Sequence, residues 1–160
     1  MVVHGFQSTK QSHKEKERQI PLPLISDLLT TPAPARIYSK IDLKHAYHLV
    51  HIAEGDKPKM AFQTWYGSYE WMVMPFGLSN APAAFQRFIN EVLGELMDVC
   101  TVGYLDDILI FSDSLENHWT HVQGVLECLC KAGVYANPKK CKFHTDTMEY
   151  LGFILSPDGL

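Results

Sequence analysis

Asp106 and Asp107 stand side by side in the run Val-Gly-Tyr-Leu-Asp-Asp-Ile-Leu-Ile-Phe, residues 102–111. Apolar, strand-forming residues flank them, and the run holds no lysine or arginine. Two carboxylates in a segment otherwise fit for burial are costly unless a cation compensates them. The pair alone has a plain alternative, because aspartate bonds its own backbone and suits a hairpin turn. Asp42 shifts the balance. It closes a second β-like stretch, Tyr-Ser-Lys-Ile-Asp-Leu, and antiparallel strands can bring two such ends together. Three carboxylates at one point repel unless divalent cations are present, and hard oxygen ligands select Mg²⁺ or Mn²⁺. Carboxylates shared by two such ions suit in-line displacement at phosphorus.

Other candidate constellations are weaker. His118 and His121 lie three apart, with Cys128 and Cys130 downstream, but the spacing fits no common zinc pattern and polar decoration of a helix suffices. The four cysteines form no CxxC pair and read as reduced thiols, with Cys100 buried in a strand. No Gly-x-x-x-x-Gly-Lys phosphate loop and no G-x-S-x-G elbow occurs.

The elements that must position the carboxylates follow from periodicity. Leu24, Ile25, Leu28 and Leu29 fit a short amphipathic helix ending near Pro32. Strands are predicted over 36–43, 47–52, 59–64 and 68–73, with Tyr66-Gly67 turning between the last two. Phe85, Phe88, Ile89, Val92, Leu93 and Leu96 recur at helical spacing within 79–97, and Pro82 is tolerable in a first turn. Two strands broken at the acid pair fill 99–111. A second helix runs over 115–132 to Gly133, and a strand candidate spans 148–155. This order predicts an α+β fold, an antiparallel sheet backed by two long helices.

One domain accounts for the 160 residues, with residues 1–19 a polar loop or a divergent or poorly ordered arm and the folded part over 20–160. No signal peptide opens the chain, and no apolar stretch approaches the roughly 18 residues of a membrane span. A net charge of −4 argues mildly against an autonomous nucleic-acid binder, and the cluster Lys139, Lys140 and Lys142 reads first as a solvated face. Ser156-Pro157-Asp158-Gly159 is hairpin-turn chemistry with no return strand before Leu160, which predicts a fragment cut within an element.

Taken in order, Pro-Leu-Pro-Leu-Ile, Lys-Ile-Asp-Leu, Met-Pro-Phe-Gly-Leu-Ser-Asn-Ala-Pro-Ala-Ala-Phe-Gln, Tyr-Leu-Asp-Asp, Asn-Pro-Lys-Lys-Cys-Lys-Phe and Tyr-Leu-Gly-Phe resemble the reverse transcriptase of Gypsy-type LTR retrotransposons, most closely the fungal versions. The resemblance implies a right-hand polymerase palm with partial fingers, cut before the thumb and RNase H. Asp42 and Asp106 would hold two Mg²⁺ or Mn²⁺ ions, with Asp107 completing the cluster and the Leu43 carbonyl helping. A primer 3′-hydroxyl would attack the α-phosphate of a dNTP on an RNA or DNA template. Tyr47 matches the ring that excludes a ribose 2′-hydroxyl; its alternative is a core tyrosine. Pro75, Phe76 and Gly77 match the nucleotide-pocket loop, and Phe85 reads as core. Lys140 matches a lysine near the pyrophosphate. Leu151, Gly152 and Phe153 match the primer-grip hairpin. The resemblance also implies an intracellular, cytoplasmic setting.

Departures from the pattern limit what is implied. Relatives carry Val-Asp-Tyr-Arg-x-Leu-Asn upstream, whose arginine clamps the triphosphate. Here the stretch reads Gly-Phe-Gln-Ser-Thr-Lys-Gln-Ser-His, and no arginine precedes Arg18. Lys10 lacks the fork geometry. Gln63 and Trp65 stand where relatives tend to be basic. The competing expectation is a non-catalytic remnant serving, if at all, as a nucleic-acid-binding or structural module.

Overall fold

The computed structural model describes residues 22–159 and the backbone of Val2–Val3. Most of the arm expected over residues 1–19 lies outside the described residues. The chain divides into two compact units, one including residues 47–88 and the other built from residues 23–46 and 89–160.

In chain order the first unit holds strand β1 (Val2–Val3), and the second opens with helix α1 (Ile25–Thr30) and strand β2 (Ile37–Asp42). The first unit resumes with β3 (His51–Ile52), β4 (Ala61–Thr64) and β5 (Gly67–Glu70), followed by helix α2 (Ala81–Leu93). The last turns of α2 belong to the second unit, which continues with β6 (Thr101–Tyr104), β7 (Asp107–Ser112) and helix α3 (Leu115–Lys131). β8 (Lys142–Thr145), β9 (Met148–Tyr150) and β10 (Phe153–Leu155) complete it.

The core of the second unit is a four-stranded antiparallel sheet in the order β6-β7-β2-β8. Side chains alternate across a strand, so each face carries its own set. Tyr38, Leu109 and Phe111 share one face with Asp42 and Asp107. They pack with Leu28 and Leu29 of α1 and with Met148, Tyr150 and Leu155 of the β9–β10 hairpin. Tyr38 is fully buried, and its hydroxyl donates to the Ala35 carbonyl at 2.7 Å. α3 lies across β7 and β2, burying His118, Val122, Val125 and Leu129. Ser114 caps it by accepting from the Asn117 N–H, and Gly133, at φ +69°, ends it. Ser156 and Gly159 exchange backbone hydrogen bonds, so the predicted turn at the chain's end forms.

In the first unit β4 and β5 form a hairpin with Thr64 paired to Gly67, which places the turn at Trp65-Tyr66, one residue earlier than predicted. β1 pairs in parallel with β3. The strand expected over 47–52 is instead a 3₁₀ turn at Ala46–Leu49 followed by two strand residues. The ring of Tyr47 stacks on Phe85 at 4.5 Å, a contact that alternation along a strand does not encode. The strand expected from residue 59 begins at Ala61, because Pro58 and the ion pairs Lys57–Glu54 and Lys59–Asp56 organise a 3₁₀ helix over Glu54–Met60.

Three further differences concern the second unit. The helix expected to reach residue 97 stops as α-helix at Leu93, where Gly94 takes φ +51°. Cys100 is buried as expected, but it sits in the turn before β6. The strand β8 was not foreseen: Lys142, Phe143 and His144 lack an apolar alternation, and their pairing with β2 is what defines them. No described helix is long and apolar enough to cross a membrane.

Candidate active site

Strand register assembles the carboxylates. Asp42 is the last residue of β2 and is paired directly with Asp107, the first residue of β7. β6 and β7 are joined by a two-residue turn, Leu105-Asp106, in which Leu105 takes φ +54°. Positive φ at the first of two central residues is the type II′ pattern that suits glycine, so leucine there is strained. Asp106 is exposed on this turn, Asp107 is half-buried and Asp42 is buried. The end of β2 is tied down on both sides: the Leu43 N–H donates to the Asp106 carbonyl at 2.8 Å, and the Asp42 carbonyl accepts from the Asn137 N–H at 2.8 Å.

Each of the two paired carboxylates meets an ammonium. Lys140 Nζ donates to Asp42 Oδ2 at 3.1 Å, and Lys40 Nζ lies 2.9 Å from Asp107 Oδ1. The Lys140 pKa is raised by its hydrogen bond to Asp42, by the charge of Asp42, and further by Asp106 and Asp107. Tyr150 supports the same corner. Its hydroxyl donates to the Asp107 carbonyl at 3.2 Å, and burial together with the Asp107 charge holds its proton on. Lys40, Lys140 and Lys142 line a cleft of about 310 Å³ with Asp107, Leu151 and Gly152. The structure therefore brings Lys140 and two of the three expected primer-grip residues to the edge of the dyad. Leu151 and Gly152 form a tight turn, both with positive φ, as a type I′ hairpin requires. Phe153 follows on β10, about half exposed.

The remaining expected positions lie in the first unit. Tyr47 is half-buried between Phe85, stacked at 4.5 Å, and Phe76 at 5.4 Å. Pro75 is buried, Phe76 is 69% exposed, and Gly77 takes φ +91°, a conformation that glycine adopts without strain. Tyr47 and Phe76 are thus in contact, and Pro75 and Gly77 flank Phe76 in sequence. The stretch compared with the arginine clamp lies outside the described residues.

A metal would be held by hard oxygens here, and the donor types fit: three carboxylates and the Leu43 carbonyl. Among the described residues, however, no three His, Cys, Asp or Glu side chains stand together as a metal-holding group. The expected three-carboxylate cluster is met as a directly opposed pair with Asp106 beside it on the turn. That finding also covers His118 and His121. His118 is wholly buried rather than surface decoration, bonded to Ser39 Oγ at 2.7 Å and to Ser112 Oγ at 2.9 Å. Lys40 was missed as a site residue. Its signal was available in Lys-Ile-Asp, since two residues apart on a strand means the same face as Asp42.

The family described as "Reverse transcriptase (RNA-dependent DNA polymerase)" matches residues 2–155. The transposon Tf2-3 polyprotein of Schizosaccharomyces pombe (strain 972 / ATCC 24843) is 45% identical over 139 residues, covering 87% of this chain and 10% of the polyprotein. The chain thus spans about a tenth of the length of the curated relatives it matches. Among solved structures, the foamy viral protease-reverse transcriptase in complex with RNA/DNA hybrid superposes with a TM-score of 0.72 at 24% identity, over 81% of this chain and 18% of that one. The dRH form of that protein in complex with ds DNA gives 0.74 at 23% identity, over 94% and 25%. These two likenesses establish a shared fold.

Proposed function

Because this chain belongs to the reverse transcriptase (RNA-dependent DNA polymerase) family, we propose that it is the fingers–palm portion of an RNA-directed DNA polymerase from a retrotransposon polyprotein. Residues 20–160 form that portion. The observation that carries the reading is the direct pairing of Asp42 with Asp107, beside the exposed Asp106 and at the rim of a cleft shared with Lys140 and the Leu151-Gly152 turn. Its substrates are dNTPs and an RNA or DNA template-primer, and its expected partners are the thumb and RNase H portions of the same polyprotein.

Asp42, Asp106, Asp107 and the Leu43 carbonyl are the groups to hold two Mg²⁺ or Mn²⁺ ions. When bound, such ions supply activation of a hydroxyl nucleophile and neutralisation of charge on phosphate oxygens. The chain's own residues do the rest. Lys140 is exposed, cationic and already drawn to Asp42, so it can neutralise a departing pyrophosphate or give it a proton. The backbone of the Leu151-Gly152 turn and Phe153 support the primer end. Tyr47, fixed by its ring stack, blocks a 2′-hydroxyl, while Pro75, Phe76 and Gly77 shape the nucleotide pocket.

A second reading, a non-catalytic remnant, draws on one observation: the described residues contain no metal-holding group of three. Addition of the first dNTP to a DNA primer on an RNA template separates the two. Mg²⁺- or Mn²⁺-dependent addition that is lost in Asp106→Asn supports the polymerase reading, with little processive synthesis because an acidic chain offers few phosphate contacts. No addition under any cation supports the remnant.

A further inference from the structure

Lys40 is the least expected occupant of the carboxylate face. It lies on the central strand β2, two residues before Asp42, and is paired across β7 with Leu109. Asp107 is therefore its diagonal neighbour on the same face, within reach of a long side chain. The contact is made: Lys40 Nζ is 2.9 Å from Asp107 Oδ1, with both side chains about three-quarters buried. The same ammonium sits 5.9 Å from the centre of the Tyr150 ring, inside the range of a cation–π attraction. Tyr150 in turn donates to the Asp107 backbone carbonyl. Both the side chain and the backbone of Asp107 are thus held by two residues that also contact each other.

Lys140 differs in kind. It extends from the turn after Asn137-Pro138, its side chain is 64% exposed, and it can swing into solvent at little cost. Lys40 is anchored on a strand hydrogen-bonded between β7 and β8, and its side chain is only 22% exposed.

We propose that Lys40 is a resident counter-cation of the acid cluster, holding Asp107 through Oδ1 and setting how tightly the cluster takes up a divalent cation. The proposal rests on the reading of Asp42, Asp106 and Asp107 as cation ligands. A divalent ion at the carboxylates must compete with this ammonium for Asp107 and is repelled by its fixed positive charge. Lys40 thereby lowers cation affinity, and it orients Asp107 in exchange. It is a positioning residue acting through Asp107.

The test is Mn²⁺ binding to the full 160-residue chain, read from the loss of the free-ion electron paramagnetic resonance signal. Wild type, Lys40→Met, Lys40→Gln and Lys40→Arg are compared, with circular dichroism to confirm folding. Removing the positive charge that sits on Asp107 is expected to tighten binding by about tenfold in K40M and K40Q, even allowing for strong solvent screening. K40R keeps the charge and is expected to bind like wild type, which a purely structural role for the side chain would not produce. Substituting both Lys40 and Asp107 (K40M with D107N) is expected to erase part of the gain, since the effect runs through Asp107. Equal or weaker binding by a folded K40M or K40Q, with wild type binding normally, overturns this proposal alone. Absence of Mn²⁺ binding in wild type and variants alike overturns the cation-site reading and the proposal with it.

Discussion

Asp42 and Asp107 are direct cross-strand partners, the last residue of β2 facing the first residue of β7 on one side of the sheet. Like charges directly opposite each other destabilise a strand pair. Here the cost is offset locally by Lys140 on Asp42 and by Lys40 on Asp107. A pair that violates a local rule and is offset by dedicated partners is where a functional site is to be sought. The tight turn at Leu105-Asp106, with leucine in a left-handed conformation, is a second such violation at the same place.

Opposite the carboxylates, the other face of the sheet carries a pH-sensitive element. Burial and the neighbouring His144 and His121 lower the His118 pKa from 6.5 to about 4. The folded chain thus keeps His118 neutral, and the unfolded chain takes up the proton first. Its contribution to stability is complete above pH 6.5 and is lost as pH falls toward 4. The urea midpoint is expected to drop between pH 7 and pH 5, and His118→Gln is expected to flatten that slope. A slope unchanged by the substitution would show that other groups carry it.

Gly103 lets a helix approach β6. A Cβ built there would lie 3.2 Å from Ile89 Cγ2 and 3.6 Å from Leu93 Cδ1. Gly103→Val is expected to destabilise the fold by about 1–3 kcal/mol through overpacking. Chemical denaturation measures this directly, and a neutral result would mean that the helix can shift without loss.

If Tyr47 excludes a ribose 2′-hydroxyl as proposed, it does so with the bulk of the ring that stacks on Phe85 and meets Phe76. Tyr47→Phe is expected to keep discrimination against ribonucleotides, whereas Tyr47→Ala is expected to relax it. Competition between a dNTP and the matching rNTP in first-nucleotide addition reads the ratio. Equal discrimination in Tyr47→Ala would remove Tyr47 from the pocket.

The parts of the fold that sequence made legible are those governed by local pattern. The helical spacing from Phe85 to Leu93 and from Val122 to Leu129 located α2 and α3, and Gly133 marked the end of α3. The apolar flanks of the dyad gave β6 and β7 with the turn between them. What stayed hidden depends on tertiary contact. The 3₁₀ turn at Tyr47 follows from a ring stack with Phe85, and β8 exists because β2 offers it a free edge. His118 looked like surface decoration because its partners Ser39 and Ser112 are distant in sequence or unremarkable in type. Lys40 was overlooked because its partner, Asp107, comes from another strand.

The proposed site requires that Asp42 and Asp106 share a divalent cation at the end of this sheet. Titration of Mn²⁺ into the wild-type chain, Asp42→Asn, Asp106→Asn and the double variant, with folding verified in each, tests it most directly. Each single substitution is expected to weaken binding by about tenfold or more through loss of a ligand charge, and the double variant much less than additively if both serve one site. Wild-type affinity retained in both single variants would contradict the claim.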